Sequence, residues 1–504
     1  MIKTRMLKRL LSLAAALALS ACFLPPAAVR AEEDSDPSEE PDLLWCGAFG
    51  YLLLEDGTAD IRSWAGEGME LTIPSELDGI PVSSVGDGAF WCVDGAEYLC
   101  RVTVPAGVKR IGVNAFRSCS ALEEITLPEG LEEIGAGAFF QCEDLRQITL
   151  PSTVTEIGPS AFALCYQLEG ITFPAGVTTL ADGMFDECWH LKSFTIPDTV
   201  TEIGLNPFSD CKRLEEIVLS PDHPTLEFVG GVLFSKPDRR LVCYPETLPA
   251  ETYAVPEGTE IIGANAFYHA ANLTEIILPD SVREIQADAF SRCASLSDIT
   301  LPEGITVLRR GVFSHCQSLM GITIPAGVTD IEEYAFYESG VTWVDIPEGV
   351  TEIREGTFLA CGKLQGLSIP ASVTRVGRMA FSDCYRLVAV LLPAGVTEIG
   401  ELAFRDCKAL QRITLPEGVT EIGQKTFSGC KSLRQADLPA GLKKIGYRAF
   451  YGCVSLPSID LPDGLEEIGN EAFYLCKSLT RADIPSSVVR TGKDIFIHSG
   501  MEQP

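Results

Sequence analysis

Cysteine is the residue type in this chain with the most chemistry to offer. Eighteen are present, and thirteen of them (119, 142, 165, 188, 211, 293, 316, 361, 384, 407, 430, 453 and 476) recur at one position of a repeating pattern. Thiols in such number suggest disulfides or a metal site. The spacing argues against both. Stacked coils place equivalent residues about 5 Å apart, whereas bonded cysteines need their Cβ atoms within about 3.5–4.5 Å. A straight file of thiols is also poor tetrahedral geometry for zinc. Ala270 and Ser339 replace the cysteine without disturbing the pattern, so the column reads as small apolar plugs. Cys92 and Cys100 lie off the column, in an insertion before Arg101, and are the candidate disulfide.

Five histidines occur: His190, His223, His269, His315 and His498. His269 and His315 share a repeat position two units apart, roughly 10 Å, too far for a common metal. Each is read as a solvated turn residue. Glu133, Glu156, Glu202, Glu284, Asp330, Glu352, Glu398, Glu421 and Glu467 also form a column. Neighbours at about 5 Å mimic a glycosidase pair, but every repeat would then be equally catalytic, so the column is read as surface. Neither His-Glu-x-x-His nor Gly-x-Ser-x-Gly occurs, and Gly135-Ala136-Gly137 and Gly429-Cys430-Lys431-Ser432 are repeat turns. The sequence therefore assigns no catalytic residue, no metal and no cofactor.

These side chains are positioned by one unit. Residues 122–144 show it: Leu122, Ile125, Leu127, Pro128, Gly130, Leu131, Ile134, Gly135, Ala138, Phe139 and Cys142 mark its fixed positions. The key Phe falls at 90, then at 116, 139, 162, 185 and 208, and resumes at 267, 290, 313 and 336. One unit is a residue short, giving Phe358, and 381, 404, 427, 450, 473 and 496 follow. Ile125-Thr126-Leu127 alternates in and out and predicts a short strand. Pro128 and Gly130 suit a type I turn with Pro at its second position. Leu131 and Ile134 predict a second extended segment. Ala138-Phe139 predicts a helical or 3-10 turn that drops Phe139 and Cys142 inward. A lone unit cannot bury its apolar side. Stacked units share one continuous core, which makes the chain a repeat solenoid with parallel β-strands.

The pattern L-x-x-I-x-L-P-x-G-V-x-x-I-G-x-x-A-F-x-x-C resembles the BspA-like leucine-rich repeats of bacterial and protist surface proteins, over about residues 70–497. The resemblance implies a curved rod with a parallel sheet on one face, about 23 residues per coil. It also implies adhesion to host, matrix or neighbouring cells.

The N-terminus bears on where such a protein works. Residues 1–31 read as an export signal, with Lys3, Arg5, Lys8 and Arg9 ahead of an apolar run from Leu10 to about Leu24. Two processing sites compete. Leu19-Ser20-Ala21-Cys22 is a lipobox pattern that would place lipid on Cys22, and Val29-Arg30-Ala31 offers ordinary release. Either places the chain outside the cytoplasm, with the lipid its one link to a membrane. Residues 32–42 read as an acidic tether, and 43–80 as an N-terminal β cap with an Asp56-Gly57 hairpin turn. Regular repeats follow over 81–219 and 256–504, separated by an enlarged irregular unit at 220–255. The net charge of −31 disfavours nucleic acid as a partner.

A ligand of such a rod would meet the outward positions of the main strand, two and four residues before each Pro. Thr recurs at the first of these (103, 126, 149, 172, 195, 300, 323 and 414), and Asp takes over at 345, 437, 460 and 483. Trp343 breaks the polar face at the second, and Gly366, Ala389 and Leu391 extend an apolar patch over the next two coils. These four are the candidate binding residues for an extracellular protein or glycan, on a chain expected to be monomeric and non-catalytic. Local repacking around the one-residue deletion would produce the same pattern; a structural spacer is the competing reading, and a hydrolase, which would need a second domain with a pocket, is the third.

Overall fold

A repeat forms one coil, in most cases with a main strand, a short second strand and a run of turns, as Glu124–Thr126, Glu133–Ile134 and the segment around Phe139 show. The computed structural model describes residues 43–501. The export signal, Cys22 and the acidic tether lie outside the described residues.

Coils stack in parallel and in the register of the sequence repeat. Glu133–Ile134 pairs with Arg110–Ile111 on one side and Glu156–Ile157 on the other. Main strands pair likewise, as in Arg101–Thr103 with Glu124–Thr126. Their middle residue is buried and its flanks are exposed, which is the alternation expected of a half-buried strand.

Two local expectations are corrected. The Pro128 carbonyl accepts the Leu131 N–H at 3.2 Å, so Pro is the first residue of the turn and Gly130 the third. Where Ser or Thr replaces that glycine, its hydroxyl donates to the preceding coil: Thr153 Oγ1 to the Leu131 carbonyl at 2.6 Å, and Ser372 Oγ to that of Val350 at 2.6 Å. The Phe segment is not helical; among the described residues the one 3-10 helix is Ala96–Tyr98. Residues two before and two after the ladder Phe take left-handed backbone, Asn206 before Phe208 excepted, with φ of 55° at Asn114 and 62° at Ser118. This alternation aims every second N–H along the stack, so that Asn114, Phe116 and Ser118 donate to the carbonyls of Ala136, Ala138 and Phe140. A helix would have spent those donors within its own coil. The left-handed residues cost about 1–2 kcal/mol each, and the inter-coil hydrogen bonds offset this.

Phe rings run face to face along the core. Phe116 and Phe139 lie 5.6 Å apart between centroids and within 1° of parallel. The cysteine column is buried and every thiol in it is free. Each Sγ donates to a Phe carbonyl of the preceding coil, Cys142 to Phe116 at 3.2 Å and Cys407 to Phe381 at 3.1 Å. The plug is thus also a weak donor to a carbonyl that already accepts one backbone N–H. Burial pushes the thiols of Cys142, Cys188 and Cys407 well up and that of Cys293 to about 12, so these stay neutral. The Cys92–Cys100 disulfide is not formed. The Ala96–Tyr98 helix stands between the two, Cys92 is exposed, and Cys100 Sγ lies 3.6 Å from the Tyr98 carbonyl.

The continuous core is also corrected. It divides into two clusters, one running from Tyr51 to Cys243 and one from Val232 to Ala482. They meet in the enlarged unit, where Leu226–Val229, Val232–Ser235 and Arg240–Cys243 form an antiparallel sheet. Val232, Phe234 and Leu241 face the later cluster, while Leu233 and Val242 face the earlier one. Arg240–Cys243 then pairs in parallel with Ile261–Ile262, and the regular stack resumes. The aromatic file continues through Tyr244, 5.2 Å from Phe267, and not through Phe234.

Candidate binding face

The main-strand face carries most of the outward residues expected of it. Thr103, Thr126 and Thr149 are exposed. Two of the aspartates toward the C-terminal end are paired with arginine: Asp437 accepts from Arg412 at 2.8 Å and from Thr414 at 2.9 Å, and Asp460 meets Arg481. The glutamate column on the second strand is laced in the same way, with Arg375 reaching both Glu352 (2.5 Å) and Glu398 (2.9 Å). These are solvated ion pairs of small individual worth.

Trp343 opens the strand Trp343–Asp345, which pairs with Gly366–Ser368 so that Trp343 faces Gly366 across the ladder. Its side chain is 52% exposed, yet held: Nε1 donates to Asp345 Oδ1 at 3.0 Å, and the ring covers Gly366. A Cβ at Gly366 would overlap the ring, so glycine is what lets the indole lie flat on the neighbouring coil. Gly366 is consequently buried beneath Trp343, a seat and not part of the surface. Ala389 lies one coil further on, exposed, bridged only to Arg412. Leu391 is 84% exposed. The sequence reading missed Met320 and Val388, both exposed apolar residues five before their Pro, and Tyr385 nearby. The signal was present, since that position carries Glu123, Arg146, Glu169 and Lys192 in earlier coils.

A second constellation sits at the enlarged unit. His269 is not a solvated turn residue: its Nδ1 lies 2.6 Å from Asp210 Oδ1 and 3.5 Å from Glu246 Oε2. Asp210 Oδ2 accepts the Trp189 Nε1–H at 3.2 Å and lies 3.4 Å from Lys212 Nζ. Trp189 in turn stacks on Tyr166 at 4.1 Å, with Lys212 over its ring. Burial, and then the negative Asp210, push the Glu246 carboxyl up to about 9. Burial acts the same way on Asp186, pushing it to about 8. Burial would raise Asp210 too, but His269 and Lys212 hold it below the usual carboxylate range. His315 is held as well, with Nδ1 3.1 Å from Glu338 Oε2 and its ring edge to face with Tyr337 at 4.8 Å.

Six copies of a BspA type leucine-rich repeat region match this chain, over residues 83–215, 260–388 and 384–502. The chain belongs to the BspA-type leucine-rich-repeat family. The unmatched stretch between 215 and 260 is the enlarged unit, where the antiparallel hairpin replaces a regular coil. Among solved structures, a leucine-rich cell surface protein from Faecalibacterium prausnitzii is 28% identical, covering 79% of this chain and 95% of that one, with a TM-score of 0.48. A leucine-rich-repeat protein from Bacteroides ovatus is 24% identical, covering 90% of this chain and 92% of that one, at a TM-score of 0.34. The pneumococcal vaccine antigen PcpA is 19% identical, covering 90% of this chain and 99% of that one, at 0.45. No curated protein matches.

Proposed function

We propose that this BspA-type protein is an exported, non-catalytic binding protein that presents its main-strand face to an extracellular protein or glycan. The observation that carries this reading is the seated indole of Trp343 and, two coils further on, the exposed Leu391, on a face lined mostly by threonine and charged residues. An aromatic ring fixed before the partner arrives loses little conformational entropy on binding, and such anchors dominate interface energetics. Location outside the cytoplasm rests on the charged and apolar pattern of residues 1–31, and attachment through lipid on Cys22 on the lipobox pattern. The acidic balance sets nucleic acid aside as a partner.

The regular threonine columns favour a second reading, a spacer whose faces bind nothing specific. The two separate on one experiment. The full chain is screened against arrays of purified glycans and extracellular-matrix proteins, and the best hit is titrated with Trp343→Ala and Leu391→Ser. Loss of tenfold or more in affinity, about 1.4 kcal/mol, supports the patch. Unchanged affinity removes the patch, and an array without hits favours the spacer.

A further inference from the structure

We propose that Asp210, Glu246 and His269 form a site for one divalent first-row transition ion, which ties together the coils on either side of the enlarged unit. The three residues occupy one structural position, each two after a ladder aromatic (Phe208, Tyr244 and Phe267). One ligand atom from each lies within 4.8 Å of the others. In a tetrahedral site with bonds of about 2.0–2.2 Å, neighbouring ligands stand roughly 3.4 Å apart. The His269–Glu246 edge of 3.5 Å already has this length, and the His269–Asp210 edge of 2.6 Å needs to open by less than 1 Å.

A second observation points to a ligand. Glu246 Oε1 is buried with no hydrogen-bond partner, on a side chain only 15% exposed. Asp186 Oδ1, in the coil before Asp210, is likewise buried and unpartnered. A carboxylate oxygen withdrawn from water without a donor is costly, and a cation held by Glu246 relieves that cost. The lysine at hand, Lys212, is 40% exposed and approaches the far oxygen of Asp210, not the pocketed one.

The surroundings also orient the ligands. The Trp189 N–H holds Asp210 Oδ2, which turns Oδ1 toward His269, and Tyr166 braces the indole from its other face. Outer partners that fix a ligating carboxylate in this way tune metal affinity. One imidazole nitrogen with two carboxylate oxygens suits zinc or manganese. Calcium prefers six or more oxygens, and the column thiols that would draw softer ions are sealed in the core, while Cys46, Cys92 and Cys100 lie outside this cluster. The site bridges the region where the core divides and no stacked aromatic pair links Phe208 to Tyr244 among the described residues. This inference does not rest on the binding face proposed above.

The test uses the full chain, stripped with chelator and titrated with Zn²⁺ by calorimetry, with Co²⁺ absorption as the report on ligand geometry. We expect one Zn²⁺ per chain at about micromolar affinity or tighter, and a raised melting temperature. His269→Ala and Glu246→Gln, checked for intact far-UV circular dichroism, should each weaken binding by on the order of 100-fold. If either variant misfolds, Lys212→Met serves instead: removing the nearby competing charge should tighten Zn²⁺ binding, and unchanged affinity counts against the site. His315→Ala, at the same repeat position but outside the cluster, should leave binding unchanged. No binding at 100 μM (about 5.5 kcal/mol of affinity) overturns the proposal. So does a loss in His315→Ala equal to that in His269→Ala.

Discussion

Two hairpins in this molecule do the same job in different settings. Near the N-terminus, Phe49–Leu53 and Ala59–Trp64 pair antiparallel, and the second strand pairs in parallel with Ile80–Val85 to begin the stack. In the enlarged unit, Val232–Ser235 and Arg240–Cys243 pair antiparallel, and the second strand pairs in parallel with Ile261–Ile262. The first leaves Leu53 and Leu54 exposed, whereas every residue of both internal strands is buried. The first buries an acid, Asp60, bound by Arg62 at 2.7 Å and by Ser84. The second buries Arg240, which reaches back to the carbonyls of Ile203 (2.8 Å) and Gly204 (2.9 Å) in the preceding coil. The lesson is that the enlarged unit is a second cap, placed inside the chain. It starts a new array, and an arginine takes over the hydrogen bonds that a regular coil's backbone would have made.

If the two arrays hold separate cores, damage to one should stay there. Phe139→Ala and Phe290→Ala each remove a fully buried ring and should cost about 3–5 kcal/mol. Hydrogen exchange should show lost protection up to the enlarged unit in the first variant and beyond it in the second. Equal loss across both arrays in either variant would break the comparison. A smaller effect tests the joint itself. Arg240→Met roughly keeps the volume but leaves two carbonyls and Asp238 Oδ2 without their donor, at about 2–3 kcal/mol. Urea unfolding should then separate into two transitions. A single transition with an unchanged midpoint would mean that Arg240 does not couple the arrays.

Sequence made the repeat legible because one coil per 23 residues forces Phe, Ile and Leu into fixed register, and the paired strands of the regular coils keep that register. The strand alternation, the plug role of the cysteines and the outward Trp343 followed from the same logic. The left-handed residues did not, because Asn114, Leu164 and Arg292 share no side-chain chemistry and are chosen by their backbone N–H. The divided core was hidden for another reason: the strands around Leu233 and Leu241 are apolar on both faces and lack the alternation that marks a one-sided strand. Tyr244 was the available clue, since it precedes Phe267 by the repeat length of 23 (267 − 244). The His269 cluster was illegible because Asp210 lies 59 residues away, a distance that fits no multiple of the repeat.

The smallest effect gives the sharpest contrast, because two glycines hold the same position in the two arrays. Gly170 and Gly366 each stand four residues before a Pro, at the start of a main strand. Neither has the positive φ that would demand glycine. Around Gly170 an added Cβ meets nothing within 4 Å, while at Gly366 it meets the indole of Trp343. Gly170→Ala should therefore stabilise the protein by about 0.4–1 kcal/mol, through lost freedom in the unfolded chain. Gly366→Ala gains the same term but lifts Trp343 from its seat, for a net loss of about 1 kcal/mol. Thermal melts give the two signs, and tryptophan fluorescence should shift to the red only in Gly366→Ala. Stabilisation by both substitutions would show that the ring moves aside at no cost. Trp343 would then be a loose surface residue in the second array and not a fixed anchor that the first array lacks.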